Sequence, residues 1–353
     1  MRVQVICSDS IRSPDNPPRP HGLLDFKTQI ERRSDIRFDI RLAVPLKKFP
    51  GIVRQSSAEA VCLLLHWDHP IAEIVNIAAS ISEQPSRPRL ILLDQVDQTC
   101  SPFFGLVKHF DVVWKSQMLR DVNGYTQPSR SGYIFADYLS ESLGYGLGDW
   151  HFGEQIGSAD TSKVKLGWNL GVSRRVRRLL RWSRLWPIPW RARRYDFNCR
   201  LGSQPTNDHG WYATYRRFAI EKLNEAARGT RCTDTSRVSP TKYLFEIARS
   251  RFVFSPFGWG EVCYRDFEAV ALGALLIKPS MDHLVTRPNI YIANETYIPV
   301  RWDLSDLEER CRWCVANPGE CVRIVRNARR VLTDYFSKQF VNEAVDAFQS
   351  VGT

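Results

Sequence analysis

Residues Arg251–Pro279, RFVFSPFGWGEVCYRDFEAVALGALLIKP, alternate apolar runs with a glycine-containing loop and a helix-like stretch. The pattern predicts a strand over Arg251–Ser255, a helix from about Glu261 to Leu272, and a second strand over Ala274–Lys278. Gly273 lies where this helix would end, a position at which glycine is common. Two strands joined through a crossover helix indicate one unit of a parallel sheet.

The loop before this predicted helix has the features of an anion-binding site. Unpaired backbone N–H groups in the first turn of a helix, together with the helix dipole, favour a phosphate. Gly258 and Gly260 would let a ligand approach the backbone closely. If the helix begins at Glu261, then Glu261, Arg265 and Glu268 share one face. The alternative is a plain crossover helix on which Glu261 and Arg265 form a surface ion pair, worth at most about 1 kcal/mol.

The same segment resembles the donor site of GT-B glycosyltransferases, particularly the exostosin-like and related bacterial polysaccharide enzymes. The matching positions are Ser255, Pro256, Gly258, Gly260, Arg265, Glu268, Ala269, Gly273 and the run Ala274–Lys278. The resemblance covers about residues 235–335 and is weak over the N-terminal half. The chain departs from the better-known retaining pattern, because only six residues separate Glu261 from Glu268 and the glycine pair precedes the first Glu.

This resemblance implies an α/β protein of the GT-B fold, with two Rossmann-like domains facing each other across a cleft. It also implies that Arg265 contacts the diphosphate of a nucleotide-sugar donor and that Glu268 contacts its ribose. In such a site cationic side chains and a helix terminus stabilise the leaving diphosphate, so no metal and no cofactor are expected. The residues expected around the donor are Lys242, Ser255, Gly258, Gly260, Glu261, Arg265, Glu268 and Lys278. For the two lysines the alternative is a solvated or structural side chain, and the same holds for the nearby His283.

The implied activity is transfer of a sugar to a saccharide or lipid-linked saccharide during cell-surface glycan assembly, including lipopolysaccharide. Two alternatives stay open. One is a sugar-nucleotide epimerase of the same fold, which needs no acceptor. The other is a non-catalytic protein that binds a membrane or nucleic acid through a basic segment, although no nucleic-acid-binding module is recognised and no such partner is expected.

An inverting transfer needs a base that removes the proton of the acceptor hydroxyl. In a doubly wound sheet such groups lie after the carboxyl ends of the strands. Asp94 and Asp97, which follow the apolar run Arg89–Leu93, are the candidate catalytic bases. The alternative is that these acids cap helices or accept hydrogen bonds from turns. Other candidates at the same edge are Asp9, Asp15, His66, Asp68 and His69.

The length of 353 residues suggests two domains. We predict an N-terminal acceptor domain over residues 1–160, a linker over 161–195, and a nucleotide-sugar-binding domain over 196–353 whose last helix returns to the first domain. With 25% charged and 12% aromatic residues, the composition is that of a globular protein.

No apolar run is long enough to span a membrane, and the start lacks the apolar core of a signal peptide. A cytoplasmic location is therefore expected.

The cysteines and histidines predict no metal site. The chain has nine scattered cysteines without the spacing of a disulfide framework. Cys311 and Cys314, with Cys321 nearby, lack a fourth ligand. The sequence HWDHP at 66–70 places two histidines three residues apart, but no further ligand follows at zinc spacing.

Basic residues are concentrated in one segment, Arg174–Arg194. It holds nine arginines and no acid, and it accounts for most of the formal net charge of +11. As a helix, SRRVRRLLRWSRLW would place Val176 and Trp186 on an apolar side opposite the arginines, with Leu185 breaking the pattern. A basic helix with tryptophans suits the surface of an anionic membrane, here the inner face of the cytoplasmic membrane. The alternative is a linker helix that packs on the body of the protein and shows arginines to solvent.

Overall fold

The N-terminal half of the chain folds around a parallel sheet. The computed structural model describes residues 1–15, 18–201 and 210–352. The elements of this half are β1 (Arg2–Ser8), α1 (Leu23–Arg33), β2 (Arg37–Val44), α2 (Phe49–Arg54), β3 (Ala60–Leu64), α3 (Ile71–Ser82), β4 (Arg89–Asp94), β5 (Val112–Lys115), β6 (Gln117–Leu119), α4 (Ile134–Leu143) and β7 (Val164–Leu166). The strand order is β2-β1-β3-β4-β5-β7, which is a doubly wound arrangement.

Burial of both faces explains the central strands of this sheet. In β3 every residue is buried, and in β4 all but the first are. Such continuous apolar runs are typical of parallel strands that helices cover on both sides. The edge strand β2 instead has mainly exposed or half-buried positions, so its sequence lacks the run that reveals β3 and β4. The loops after β1, β3 and β4 leave the same edge of the sheet.

The C-terminal half contains a second parallel sheet. Its elements are α5 (Arg174–Leu185), β8 (Tyr195–Asn198), α6 (Trp211–Ala226), α7 (Pro240–Ala248), β9 (Ser250–Phe254), α8 (Tyr264–Ala271), β10 (Leu275–Pro279), β11 (Leu284–Thr286), β12 (Ile298–Val300), α9 (Leu307–Ala316), α10 (Pro318–Asp334) and α11 (Phe340–Gly352). The order β12-β10-β9-β8 places β9 and β10 at the centre. These are the two strands that the sequence predicts, shifted by one residue.

A strand pair and the last helix are among the contacts that join the halves. β6 of the first half pairs with β11 of the second as an antiparallel ribbon. The last helix, α11, packs on the N-terminal half: the rings of Phe340 and Phe26 are 4.8 Å apart, and those of Phe348 and Phe38 are 5.1 Å apart. β7 joins the N-terminal sheet although it lies within the predicted linker. It pairs with β5 in parallel, with Val164 opposite Val113.

The basic segment forms helix α5, which packs mainly on α8. Val176 and Leu180 are buried, and the Ser183 hydroxyl donates to the Ala271 carbonyl at 2.6 Å. The helix ends at Leu185, so Trp186 does not belong to its apolar side and is exposed instead. Within the described ranges, no helix combines the length and the apolar composition that a membrane span requires.

Candidate active site

A cavity of about 700 Å³ lies between the two halves of the molecule. The N-terminal half contributes the loops that follow β1, β3 and β4, and the C-terminal half contributes Trp259 and Tyr264. Most of the lining is aromatic or polar, which suits a ligand with both hydroxyl groups and apolar faces. The N-terminal lining residues include Arg19, His21, His66, Trp67, Gln95, Asp97, Gln98, Trp150, His151 and Phe152.

Asp97 is the carboxylate of this cavity. Asp97 is exposed on the wall of the cavity, and the protein atoms of the cleft around it partly desolvate its carboxylate. Burial in the cleft raises the pKa of Asp97 to about 6, and the negative charges of Glu261 and Asp266 add to the effect. Among the described residues, no side chain donates a hydrogen bond to this carboxylate. A carboxylate with these properties is suited to take up a proton near neutral pH.

The other candidate base, Asp94, is placed differently. Its side chain is 0% exposed and accepts a hydrogen bond from the Lys115 ammonium at 3.0 Å. Lys115 in turn donates to the carbonyl of Cys100 at 3.2 Å. Through Lys115, Asp94 therefore holds the loop after β4 in place. Asp97, three residues later, lines the cavity.

The loop between β9 and α8 is held against the loop that carries Asp97. A Cβ atom added to Gly260 would lie 2.3 Å from the Asp97 carbonyl oxygen, so only glycine fits there. The side-chain amide of Gln98 donates to the Trp259 carbonyl at 2.8 Å. The backbone of the second half thus touches the candidate base of the first half directly.

Glu261 follows this contact and is completely buried. Its carboxylate accepts a hydrogen bond from the Thr99 N–H at 2.9 Å, and His283 Nε2 lies 3.7 Å from its other oxygen. Burial by itself would raise the pKa of Glu261, but His283 and the Thr99 N–H outweigh it and hold that pKa below its usual range. Among the described residues, none forms a hydrogen bond with the buried Glu261 Oε1, with either ring nitrogen of His283 or with the Tyr133 hydroxyl. No local pattern in the sequence marks Tyr133, which lies 128 residues from Glu261 in the chain.

Helix α8 begins three residues later than the sequence predicts. The Asp266 carboxylate accepts from the Cys263 N–H at 3.2 Å and so caps the helix, which starts at Tyr264. Glu261 consequently lies in the preceding turn and does not share a helix face with Arg265 and Glu268. The alternative of a surface ion pair between Glu261 and Arg265 is not found among the described residues, and both side chains contact other parts of the chain.

A buried network around Asp266 contains two of the residues expected at the donor site. The Ser255 hydroxyl and the Tyr291 hydroxyl donate to the Asp266 carboxylate at 2.5 and 2.8 Å. The Lys278 ammonium lies 3.1 Å from the same group and is 0% exposed. Lys278 and Ser255 therefore set the geometry of the loop between β9 and α8, and Lys278 neutralises Asp266.

Arg265 and Arg216 form a positively charged region on the other side of this loop. Arg265 donates to the Arg200 carbonyl at 3.0 Å and to the Tyr243 hydroxyl at 3.3 Å. A Cβ atom on Gly258 would lie 2.8 Å from the Arg216 guanidinium, which therefore rests against the loop backbone. Burial and the charge of Arg265 lower the pKa of Arg216. Within the described ranges neither guanidinium has a carboxylate in ion-pair contact, so the region favours an anion.

The two remaining donor-site candidates differ in accessibility. Glu268 is 2% exposed, and its carboxylate accepts a hydrogen bond from Arg175 of α5 at 2.7 Å. The basic segment therefore reaches the predicted ribose site. Lys242 lies in the first turn of α7, next to Tyr243, and its side chain is exposed. In the described part of the chain, no group of three or more His, Cys, Asp or Glu side chains is arranged to hold a metal ion.

Comparison with known proteins supports the fold. No protein-family model matches the sequence, and no curated protein matches it either. Sucrose-phosphate synthase from Thermosynechococcus elongatus superposes with a TM-score of 0.53 at 11% identity, covering 99% of this chain and 98% of that one. An α-glucosyltransferase in complex with UDP-glucose and DNA containing an abasic site gives 0.49 at 11% identity, covering 100% of both chains. Anabaena HepE in complex with UDP-glucose gives 0.43 at 10% identity, covering 99% of both chains.

The likeness to sucrose-phosphate synthase is one of fold and extends over nearly the whole chain. The chain has the GT-B fold, and the fold class implied by the sequence is confirmed.

Proposed function

We propose that this chain is a glycosyltransferase that moves a sugar from a nucleotide-diphosphate sugar to a saccharide acceptor. One observation carries the proposal. The loop between β9 and α8 touches the backbone of Asp97 at Gly260 and the guanidinium of Arg216 at Gly258. A group suited to accept a proton and a group suited to bind a diphosphate are thereby held on either side of one short loop.

On the donor side, we assign Arg265 and Arg216 to the diphosphate. Both are arginines without a carboxylate partner among the described residues, and guanidinium groups bind phosphate oxygens bidentately. As the bond to the sugar breaks, negative charge builds up on the leaving diphosphate, and fixed positive charges stabilise it. Lys242 is exposed beside Tyr243 and is a further cation for this role. Glu268 would accept from the ribose hydroxyls once Arg175 shares or releases its carboxylate.

On the acceptor side, we assign Asp97 as the base. Its carboxylate would take the proton of the acceptor hydroxyl while that oxygen attacks the anomeric carbon and the diphosphate departs. This single displacement inverts the anomeric configuration. The rings of Trp67, Trp150 and Trp259 line the same cavity and offer apolar surfaces on which sugar rings can stack. A saccharide, free or lipid-linked as in cell-surface glycan assembly, is therefore the acceptor class that we propose.

A nucleotide panel tests the donor assignment. Thermal shifts with UDP, GDP, CMP and dTDP, each with and without its sugar, would be measured on the wild type, Arg265→Ala and Arg216→Ala. We expect one nucleotide to stabilise the wild type. Each substitution should weaken the affinity for that nucleotide by about tenfold or more and so reduce the thermal shift, since a charge-assisted bond contributes about 1.5–3 kcal/mol. Arg228→Ala, an exposed arginine outside the site, is the matched control. Absence of any shift in folded wild-type protein would contradict the donor site.

A second measurement separates transfer from epimerisation, the alternative within the same fold. The stabilising nucleotide sugar would be incubated with the protein alone and with a saccharide panel. Transfer requires that product form only with an acceptor, and NMR of the new linkage would show inversion. Conversion of the nucleotide sugar to its epimer without an acceptor would instead favour the epimerase.

A further inference from the structure

The exposed end of α5 is not used by the proposed reaction. Leu185 and Trp186 are 76% and 68% exposed, which is unusual for large apolar side chains beside each other. The neighbouring tryptophans of the same segment are half-buried: Trp182 packs on Phe245, and Trp190 packs on Phe252. Leu185 and Trp186 are therefore the large apolar side chains of this segment that remain exposed.

Arg184, next to Leu185 in the chain, belongs to a cluster of arginines from two helices. On α5, steps of about 100° per residue put Arg178, Arg181 and Leu185 on one outward face, and the two arginines are exposed. Arg184 lies to the side of that face that meets α10. There it lines a concavity of about 360 Å³. The side chains lining this concavity, called here the arginine groove, are Arg184, Arg326, Arg329, Arg330, Thr333 and Asp334.

The charges of the arginine groove are mostly uncompensated. Its arginines have no carboxylate in ion-pair contact among the residues that the structure describes. Arg329 donates to the Ser183 hydroxyl at 2.9 Å, which ties α10 to α5, and Arg330 donates to Asn327 at 3.2 Å. Burial and the charge of Arg184 lower the pKa of Arg329. Asp334 is the one acidic lining residue, so the groove keeps a net positive charge.

We propose that Leu185, Trp186 and the arginine groove form a docking surface for an anionic lipid bilayer. Charge complementarity selects the occupant: the guanidinium groups face a negatively charged surface, and the adjacent Leu and Trp insert at the level of the lipid headgroups. A tryptophan beside a basic cluster is suited to that boundary, because its ring is apolar and its N–H is polar. A nucleic-acid backbone would be matched by the arginines alone and would leave Leu185 without a role. The surface is independent of the proposed transferase reaction.

Vesicle co-sedimentation of the full chain tests this surface. Vesicles of phosphatidylcholine alone would be compared with vesicles that contain phosphatidylglycerol in equal part. The variants are Arg326→Glu with Arg330→Glu, and Leu185→Ser with Trp186→Ser. All four side chains are exposed, so thermal unfolding and nucleotide binding should match the wild type. The charge-matched control is Arg54→Glu with Arg228→Glu, exposed arginines far from this segment in the chain.

We expect the wild type to bind the anionic vesicles and not the neutral ones. The partition coefficient of the groove variant should fall roughly tenfold or more, since each basic residue near an anionic surface contributes to the free energy of binding. The Leu185/Trp186 variant should also bind more weakly, and more salt should reduce the electrostatic part of the binding.

Three results would overturn the proposal. The first is an equal loss in the Arg54/Arg228 control, which would show a net-charge effect. The second is binding of inorganic phosphate to the groove without any binding of vesicles. The third is groove-dependent binding of duplex DNA without binding of vesicles, which would indicate a nucleic-acid partner. A wild-type protein that binds vesicles but transfers no sugar would contradict the proposed reaction and leave the docking surface intact.

Discussion

At the scale of single residues, Asp94 and Asp97 show how position decides chemistry. Asp94 is the last residue of β4, and Asp97 follows three residues later. The charge of Asp94 is compensated by the Lys115 ammonium at 3.0 Å, and its side chain is buried away from the cavity. Asp97 has no ion-pair partner among the described residues, and desolvation together with the charges of Glu261 and Asp266 raises its pKa. The sequence places both side chains at the edge of the sheet, but only the direction of each side chain distinguishes a structural acid from a candidate base.

Removing the charge of Asp97 should abolish turnover while leaving donor binding in place. We expect Asp97→Asn to lower kcat about 10²–10⁴-fold, the usual contribution of a general base, with the nucleotide thermal shift unchanged. In the wild type, kcat/KM should rise with pH through about 6, because the base works only when ionised. Asp149→Asn, an exposed aspartate, is the control. Full activity in Asp97→Asn would rule out the assignment.

The same carboxylate should cost stability at neutral pH. Its pKa is raised in the folded protein, so between about pH 4 and about pH 6 the folded state binds more protons than the unfolded state. Stability from this group therefore falls as the pH rises through that window. Asp97→Asn should raise the Tm relative to the wild type at pH 8 and much less at pH 4.5. Scanning calorimetry at the two pH values measures the difference, and an equal effect at both would contradict the raised pKa.

At the scale of elements, the sequence predicts the order of elements around the loop between β9 and α8, but not the residue at which α8 begins. The strand–loop–helix–strand order is confirmed. The start of the helix is wrong, because the Asp266 carboxylate caps it at Cys263 and Gly260 is already committed to a contact with Asp97. Helix periodicity continues through Glu261, so pattern alone gives no sign of this earlier turn.

A methyl group on Gly260 should disturb both stability and activity. The Cβ of Gly260→Ala would meet backbone atoms of Asp97 at 2.3–2.4 Å, and backbone cannot rotate away as a side chain can. We expect a loss of about 1–3 kcal/mol in the free energy of unfolding, as for other overpacked sites, and a displaced Asp97. Gly51→Ala, in α2 with nothing within 4 Å of the new atom, should be neutral or stabilising. Urea unfolding compares the two.

At the scale of the whole molecule, the cleft depends on the contacts that join the halves. The last helix returns to the first half and buries Phe348 between Phe38 and Trp114, with ring distances of 5.1 and 4.9 Å. The ribbon of β6 and β11 forms a second connection next to His283. These contacts fix the relation between Asp97 on one side and the donor loop on the other.

Truncating Phe348 should therefore loosen the molecule far from the cleft. We expect Phe348→Ala to destabilise the protein by about 3–5 kcal/mol, because a fully buried ring is lost and a cavity remains. Gln349→Ala, at the exposed neighbouring position, should change the stability by less than about 0.5 kcal/mol. Thermal unfolding measures both. A Phe348→Ala protein as stable as the wild type would show that α11 does not hold the halves together.

The sequence by itself determined the parallel α/β elements around residues 251–279, because buried parallel strands and crossover helices leave continuous apolar runs and regular periods. The GT-B fold class followed from the resemblance that this segment carries. The sequence also singled out the two aspartates at and after the end of β4, since strand ends mark the functional edge of such sheets. Only the tertiary structure decided which side chains meet. Tyr133 and His283 approach Glu261, Arg175 reaches Glu268, and Arg216 rests on Gly258, although each pair is distant in the chain. Such contacts depend on how two separately formed sheets pack, and packing leaves no periodic trace in the sequence.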